Sequence, residues 1–156
     1  MFEPWCGEDD RCKASHATFS IRSDILLPAE VTAALDVAPT RAWAMGEPYQ
    51  RSAGLRHRPW GMWHLSTEGA VPSRSPEQQA LHLLELLEPR AEAVRRYVSA
   101  PDYLVRVLFW WESAVETAGF DLSSGTVARL AALSNYIGFT VLANMGSEEA
   151  EPGAAP

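Results

Sequence analysis

The residues best suited to chemistry in this sequence are its cysteines, histidines and arginines. Cys6, Cys12 and His16 have the spacing C-x5-C-x3-H, which equals the last three ligands of a CCCH zinc finger. The ligand that should precede them is missing, because only five residues lie before Cys6. An open zinc site also needs a rigid cleft rather than a chain end. We therefore predict no metal and no cofactor, and keep these three residues as a weak metal candidate.

His64 is the one histidine that the pattern places inside a strand, where Ser66, Asp24 and Glu112 could lie near it. A serine–histidine–acid triad needs convergent geometry, and no nucleophile elbow marks any serine of this chain. Phosphate-loop, dinucleotide-binding and His-Glu-x-x-His motifs are also missing from the sequence. The sequence therefore assigns no catalytic residue and favours a protein that is not an enzyme, although motif-poor enzymes exist.

The charges are distributed unevenly along the chain. Its 13 basic and 20 acidic residues leave a formal net charge of −7, which disfavours a nucleic-acid partner and favours a basic one. The acidic residues concentrate at the two ends of the chain. Segment 41–58 is the reverse, because it carries Arg41, Arg51, Arg56 and Arg58 against Glu47 alone.

Hydrophobic periodicity predicts alternating strands and helices. The predicted strands are 17–22, 60–67, 103–111 and 136–143, and the predicted helices are 28–37, 75–88, 89–98 and 123–133. Ser75 has a capping-box spacing to Gln78, and prolines stand at the starts of helices. The loop 38–59 has room for a fifth, short strand at 41–45. The predicted fold class is α+β, with a mostly antiparallel sheet of four or five strands, helices on one face, and the order β-α-β-α-α-β-α-β.

Both ends of the chain lack a hydrophobic period. We predict disordered acidic tails at 1–15 and 146–156, and a single domain over 16–145. The chain begins without a signal-peptide pattern, and its apolar runs fall short of the roughly 20 residues that span a bilayer. We therefore expect a cytoplasmic protein that does not enter a membrane.

Strand alternation divides the predicted sheet into two faces. One face is apolar and should lie under the helices; it carries Phe19, Ile21, Trp63, Leu65, Val105, Val107, Phe109, Trp111, Ile137, Phe139 and Val141. The other face mixes aromatic, basic and aliphatic side chains. This composition suits a binding groove or a sheet-to-sheet interface, and it also fits an ordinary open antiparallel face with some exposed apolar area. Its candidate binding residues are Arg22, Trp60, His64, Arg106, Trp110 and Tyr136.

Several short motifs resemble one known family. They are Leu27-Pro28-Ala29-Glu30-Val31 after the first strand, the Ala38-Pro39-Thr40 turn, Gly46, Trp63-His64-Leu65-Ser66, Leu83-Leu84 to Leu87-Glu88-Pro89, and the final helix and strand. Over 16–145 the chain resembles the bacterial domain of unknown function 4279 family. The resemblance implies a compact α+β domain. It implies no activity, because the family has no assigned catalytic residues.

Two functions remain open from the sequence. The preferred one is a small, non-enzymatic recognition module that holds a protein partner on the open sheet face or on the arginine-rich loop, as an immunity protein or a regulatory partner would. The alternative is a small-ligand protein or an enzyme in which Arg22 and Arg106 hold an anion and His64 transfers a proton. A homodimer through the open sheet face is a further option.

Overall fold

A five-stranded sheet forms the centre of the molecule, with the strand order β2-β5-β1-β6-β7. The structure is a computed structural model, and it describes residues 11–116 and 118–143. The elements are β1 (Cys12–Ser23), α1 (Pro28–Leu35), β2 (Arg41–Trp43), β3 (Pro48–Arg51), β4 (Gly54–His57), β5 (Gly61–Ser66), α2 (Pro76–Leu87), a 3-10 turn (Glu88–Arg90), α3 (Ala91–Ser99), β6 (Leu104–Ser113), α4 (Ser124–Ala131) and β7 (Tyr136–Leu142).

The predicted α+β class and its mostly antiparallel sheet are confirmed. β1 pairs antiparallel with both β5 and β6, and β2 pairs antiparallel with β5. β7 alone pairs in parallel, with β6; α4 supplies the crossover that a parallel pair requires. The fifth strand suggested at 41–45 is present as β2. The loop around it also contains the β3–β4 hairpin, which we did not predict because its residues are mostly exposed and show no apolar alternation.

The first strand begins earlier than predicted. β1 starts at Cys12, inside the segment that we assigned to a tail, and a β-bulge between Cys12 and Ala14 shifts its pairing with β6. The prediction for 12–15 was therefore wrong, because the ladder to β6 continues through polar residues that show no apolar period. The remaining tail predictions, for 1–10 and for 146–156, lie outside the described residues.

All four helices pack on the same face of the sheet. Each contributes an apolar side chain that is at most 2% exposed to one common core; these are Val31, Leu84, Val94 and Leu130. The same core contains Phe19, Trp63 and Val107 from the strands. The indole N–H of Trp63 donates to Thr32 Oγ1 of α1 at 3.0 Å, so its buried polar group is satisfied.

Local capping explains where two helices begin. Ser75 Oγ accepts from the Gln78 N–H at 3.5 Å, as the capping-box spacing predicted, and Ser123 Oγ accepts from the Thr126 N–H at 3.2 Å. Glu77 then joins the two helices. Its carboxylate accepts from the Ser123 N–H at 3.1 Å, from Ser123 Oγ at 2.9 Å and from Thr126 Oγ1 at 2.5 Å.

No helix within residues 11–116 and 118–143 is long and apolar enough to cross a membrane.

Candidate binding face of the sheet

The side of the sheet opposite the helices, here called the open face, carries Arg22, His64, Arg106, Trp110 and Tyr136, as strand alternation predicted. Trp60 precedes β5 and so lies outside the strand in which it was predicted. In β5 and β6, buried side chains of the core alternate with half-buried or exposed ones of the open face. Trp63, Val105 and Val107 are at most 1% exposed. The inner face is incompletely covered at one edge, however, because Phe139 and Val141 are each 53% exposed. Both lie on β7, which has a neighbouring strand on one side alone.

One row of residues crosses the open face through all five strands. The register places Arg41, His64, Ser20, Arg106 and Tyr136 side by side, in that order. Three of the predicted candidates therefore share a row. Arg41, at its end, was not among them, because only strand pairing shows that the short strand β2 lies beside β5.

The imidazole of His64 titrates abnormally in this row. Burial lowers the pKa of His64 below its usual value, and the positive charges of Arg41 and His16 lower it further. The side chain is therefore neutral near pH 7, and a neutral imidazole can accept a proton or a hydrogen bond at one ring nitrogen.

Arg22 and Arg106, which the sequence grouped in one anion site, diverge in the structure. Arg22 stands opposite Leu104, and Arg106 stands opposite Ser20, so the two positions are diagonal neighbours. The Arg22 guanidinium lies 3.6 Å above the ring of Trp60. The Arg106 guanidinium instead lies against Gly138 of β7, on the other side of the central strands. These directions do not bring the two guanidinium groups together.

Two of the weak metal candidates are separated by the fold. His16 lies on the open face and stacks on Trp110, with ring centroids 5.1 Å apart. Cys12 pairs with Ser113, whose side chain is buried on the core face, and Cys12 itself is fully buried. The bulge beside Cys12 therefore puts it and His16 on opposite faces, while Cys6 lies outside the described residues. In the part of the chain that is described, no group of three or more potential ligands could hold a metal ion.

A cluster of stacked arginines and aromatic rings borders the open face near the start of β5. The guanidinium of Arg58 lies 4.1 Å from the ring of Trp43 and 4.1 Å from the ring of Tyr49. The Trp43 indole N–H donates to the backbone oxygen of Trp60 at 3.1 Å. Arg58 and its two rings therefore lie beside the Arg22–Trp60 pair. We call Arg22, Trp43, Tyr49, Arg58 and Trp60 the arginine–aromatic stack.

Sequence reasoning noticed that arginines concentrate in 41–58, yet it missed the stack. Trp43 lies on β2, Tyr49 lies on β3 and Arg58 directly follows β4, and no periodicity relates the three. The signal that was present was the abundance of Arg, Trp and Tyr in one loop. Such residues are enriched in the energetically dominant parts of interfaces.

The arginines of the open face and the stack lack acidic partners. Among the described residues, no carboxylate lies within ion-pair distance of Arg22, Arg41, Arg58 or Arg106. By contrast, Lys13 pairs with Glu112, Arg90 with Asp36, Arg96 with Glu92, and Arg129 with Glu88. The overall charge of the chain is negative, but this side of the sheet presents uncompensated positive charge.

An open-sided cleft of about 780 Å³ adjoins one end of the open face. Arg22 and Tyr136 line it from the open face, Ser99 lines it from the end of α3, and Asp24 and Asp102 line it from the neighbouring loops. His64 is not among its lining residues. The cleft therefore continues the open face at one end without enclosing the imidazole.

These features define an α+β domain whose helices cover one sheet face and whose other face is basic and aromatic. The chain belongs to the family described as domain of unknown function (DUF4279), whose model matches residues 11–144. This confirms the family that the sequence motifs resembled, and the match begins just before β1, in agreement with its early start. No curated protein and no solved structure matches the chain significantly.

Proposed function

We propose that this chain is a small, non-enzymatic recognition module of the bacterial cytoplasm that binds a protein partner on its open face. The observation that carries the proposal is the set of four arginines without acidic partners, Arg22, Arg41, Arg58 and Arg106, on and beside a sheet face that no described helix covers. A toxin-neutralising immunity protein and a regulatory partner are the two roles that such a module would fit.

The composition of the open face suits a protein partner. Arginine, tryptophan and tyrosine are the residue types that contribute most to binding energy at interfaces. Tyr136 is 60% exposed and Leu104 is 36% exposed, so aromatic and aliphatic surface accompanies the guanidinium groups. Unpaired guanidinium groups keep their donors available for charge-assisted hydrogen bonds with a partner.

A second candidate function is small-ligand binding or proton transfer at His64. The lowered pKa of His64 favours this candidate, since a neutral imidazole can accept a proton or a hydrogen bond. The divergence of Arg22 and Arg106 removes the two-arginine anion site on which the original hypothesis depended. The adjoining cleft also leaves His64 outside, which supports recognition over catalysis.

The proposal is tested by capturing partners from a lysate of the source organism and then measuring the affinity of the captured protein in purified form. We expect Arg106→Gln and Trp110→Ala to weaken that affinity at least about tenfold, as truncation of an interface anchor does. Arg95→Gln is the matched control, because Arg95 is exposed on α3 and the substitution removes the same charge. Equal affinities for all four proteins, wild type included, would exclude the open face as the binding surface.

A further inference from the structure

We propose that the arginine–aromatic stack binds carboxylates of an acidic, extended segment of the partner protein. This inference rests on the proposed function and names the chemistry of the partner at a site whose geometry the sequence did not show. It depends on the geometry of Arg58 and Arg22 and on the charge that surrounds them.

The guanidinium of Arg58 is stacked on two aromatic rings. The centroids of the Trp43 and Tyr49 rings each lie 4.1 Å from it, and Arg58 is half-buried. No described residue accepts a hydrogen bond from this side chain. The Arg58 backbone is anchored as well, because its N–H donates to Glu47 O at 2.9 Å and its carbonyl accepts from the Gly46 N–H at 2.8 Å.

A guanidinium stacked on aromatic rings is suited to binding a carboxylate through its edge. Its N–H groups lie in the guanidinium plane and match the two oxygens of a carboxylate in a bidentate pair. Stacking also removes rotamer freedom before binding, so less conformational entropy is lost when the pair forms. The stack therefore presents a preorganised donor rather than a mobile surface charge.

A second stacked guanidinium stands nearby. Arg22 lies 3.6 Å above Trp60, and the register places Trp43 and Arg22 on either side of Met62. Two strand spacings separate the Trp43 and Arg22 backbones by roughly 10 Å, which is the span of about three residues of an extended chain. An extended segment that carries several acidic residues is therefore long enough to contact both stacked guanidinium groups.

Local charge also favours an acidic occupant. Glu47 is the one carboxylate in segment 41–58, and its Oε2 accepts from the Ala44 N–H at 3.1 Å instead of forming an ion pair with Arg58. A single-stranded nucleic acid would use aromatic rings as stacking platforms. Arginine already covers at least one side of Trp43, Tyr49 and Trp60. Bases therefore have less ring surface to stack on, whereas the guanidinium N–H groups can still bind a carboxylate.

The test uses fluorescein-labelled ten-residue peptides of Gly and Ser that carry four Glu residues, and identical peptides with Gln in their place. We expect the Glu peptide to bind the full chain and the Gln peptide to bind at least about tenfold more weakly. Arg58→Gln and Arg22→Gln should each weaken binding of the Glu peptide about tenfold. Arg58→Lys should weaken it as well, because an ammonium keeps the charge but lacks the planar fork. Arg95→Gln should leave the affinity within about twofold, since it changes only the overall charge.

Three results would overturn the inference. They are equal binding of the Glu and Gln peptides, tighter Arg58-dependent binding of a ten-nucleotide oligothymidine, and equal weakening by Arg58→Gln and Arg95→Gln. A thermal melt of each variant accompanies the titration, and if Arg58→Gln fails to fold, Arg22→Gln decides the outcome. Loss of peptide binding with intact, Arg106-dependent capture of the native partner would refute this inference and leave the proposed function standing.

Discussion

The guanidinium of Arg106 lies directly against the backbone of Gly138 on the neighbouring parallel strand. A Cβ atom at position 138 would stand 2.5 Å from Arg106 Nη2 and 3.1 Å from its Nε. Gly138 pairs with Leu108 in the register, so Arg106 reaches diagonally across β7. The missing side chain at position 138 therefore determines where a positive charge of the open face is placed.

Gly138→Ala should move this guanidinium without unfolding the protein. The atoms that a new methyl group would meet belong to the far end of a flexible side chain, so we expect the free energy of unfolding to change by less than about 0.5 kcal/mol. Affinity for the native partner should fall to the level of Arg106→Gln. Gly125→Ala on α4, where a Cβ would meet nothing within 4 Å, is the control. A substantial loss of stability in Gly138→Ala, measured by urea unfolding, would contradict this account.

The two faces of β6 should respond oppositely to substitution. Val107 is 1% exposed, so Val107→Asp would bury a carboxylate without a partner. The cost is several kcal/mol out of a total stability of roughly 5–15 kcal/mol, and we expect the variant to unfold. Arg106→Ala should leave the fold intact. Thermal melts by circular dichroism compare the two, and an Arg106→Ala variant that melts as low as Val107→Asp would show that the arginine is structural.

Glu77→Gln should loosen the junction between α2 and α4. The substitution removes the negative charge that accepts from the Ser123 N–H, Ser123 Oγ and Thr126 Oγ1. Hydrogen bonds to a charged group stabilise more than neutral ones, so we expect the free energy of unfolding to fall by about 1–2 kcal/mol. Glu85→Gln, on the same helix, is the matched control. Equal unfolding midpoints for the two variants in urea would mean that the charge of Glu77 at the junction contributes little to the stability of the fold.

His64 should make the fold less stable in mild acid. Burial, Arg41 and His16 hold the pKa of His64 below its unfolded value of about 6.5. Between these two pKa values the unfolded chain binds the proton that the folded chain excludes, so stability falls as the pH drops below about 6.5. His64→Gln should reduce the loss of stability between pH 7.5 and pH 5.5, measured by urea unfolding. His57→Gln, on the exposed hairpin, is the control for removing one imidazole. A His64→Gln variant that loses as much stability between pH 7.5 and pH 5.5 as the wild type would contradict the prediction.

The sequence by itself determined those features that depend on near neighbours along the chain. Strand alternation separated Val105 and Val107 from Arg106, because successive side chains of a strand point to opposite faces. The spacing of Ser75 and Gln78 marked the start of α2, because a cap forms within one helical turn. The class of the fold, the helices on one face of the sheet and the family followed from these local patterns.

Tertiary structure alone decided the features that depend on contacts between distant segments. Strand pairing placed Arg41 beside His64, and the bulge in β1 placed Cys12 and His16 on opposite faces. Loop packing placed Arg58 against two rings that no periodicity relates to it. The directions of the Arg22 and Arg106 side chains could not be predicted from the sequence either. A long side chain packs on an aromatic ring or an uncovered backbone segment, and the pairing of neighbouring strands decides which of these is near.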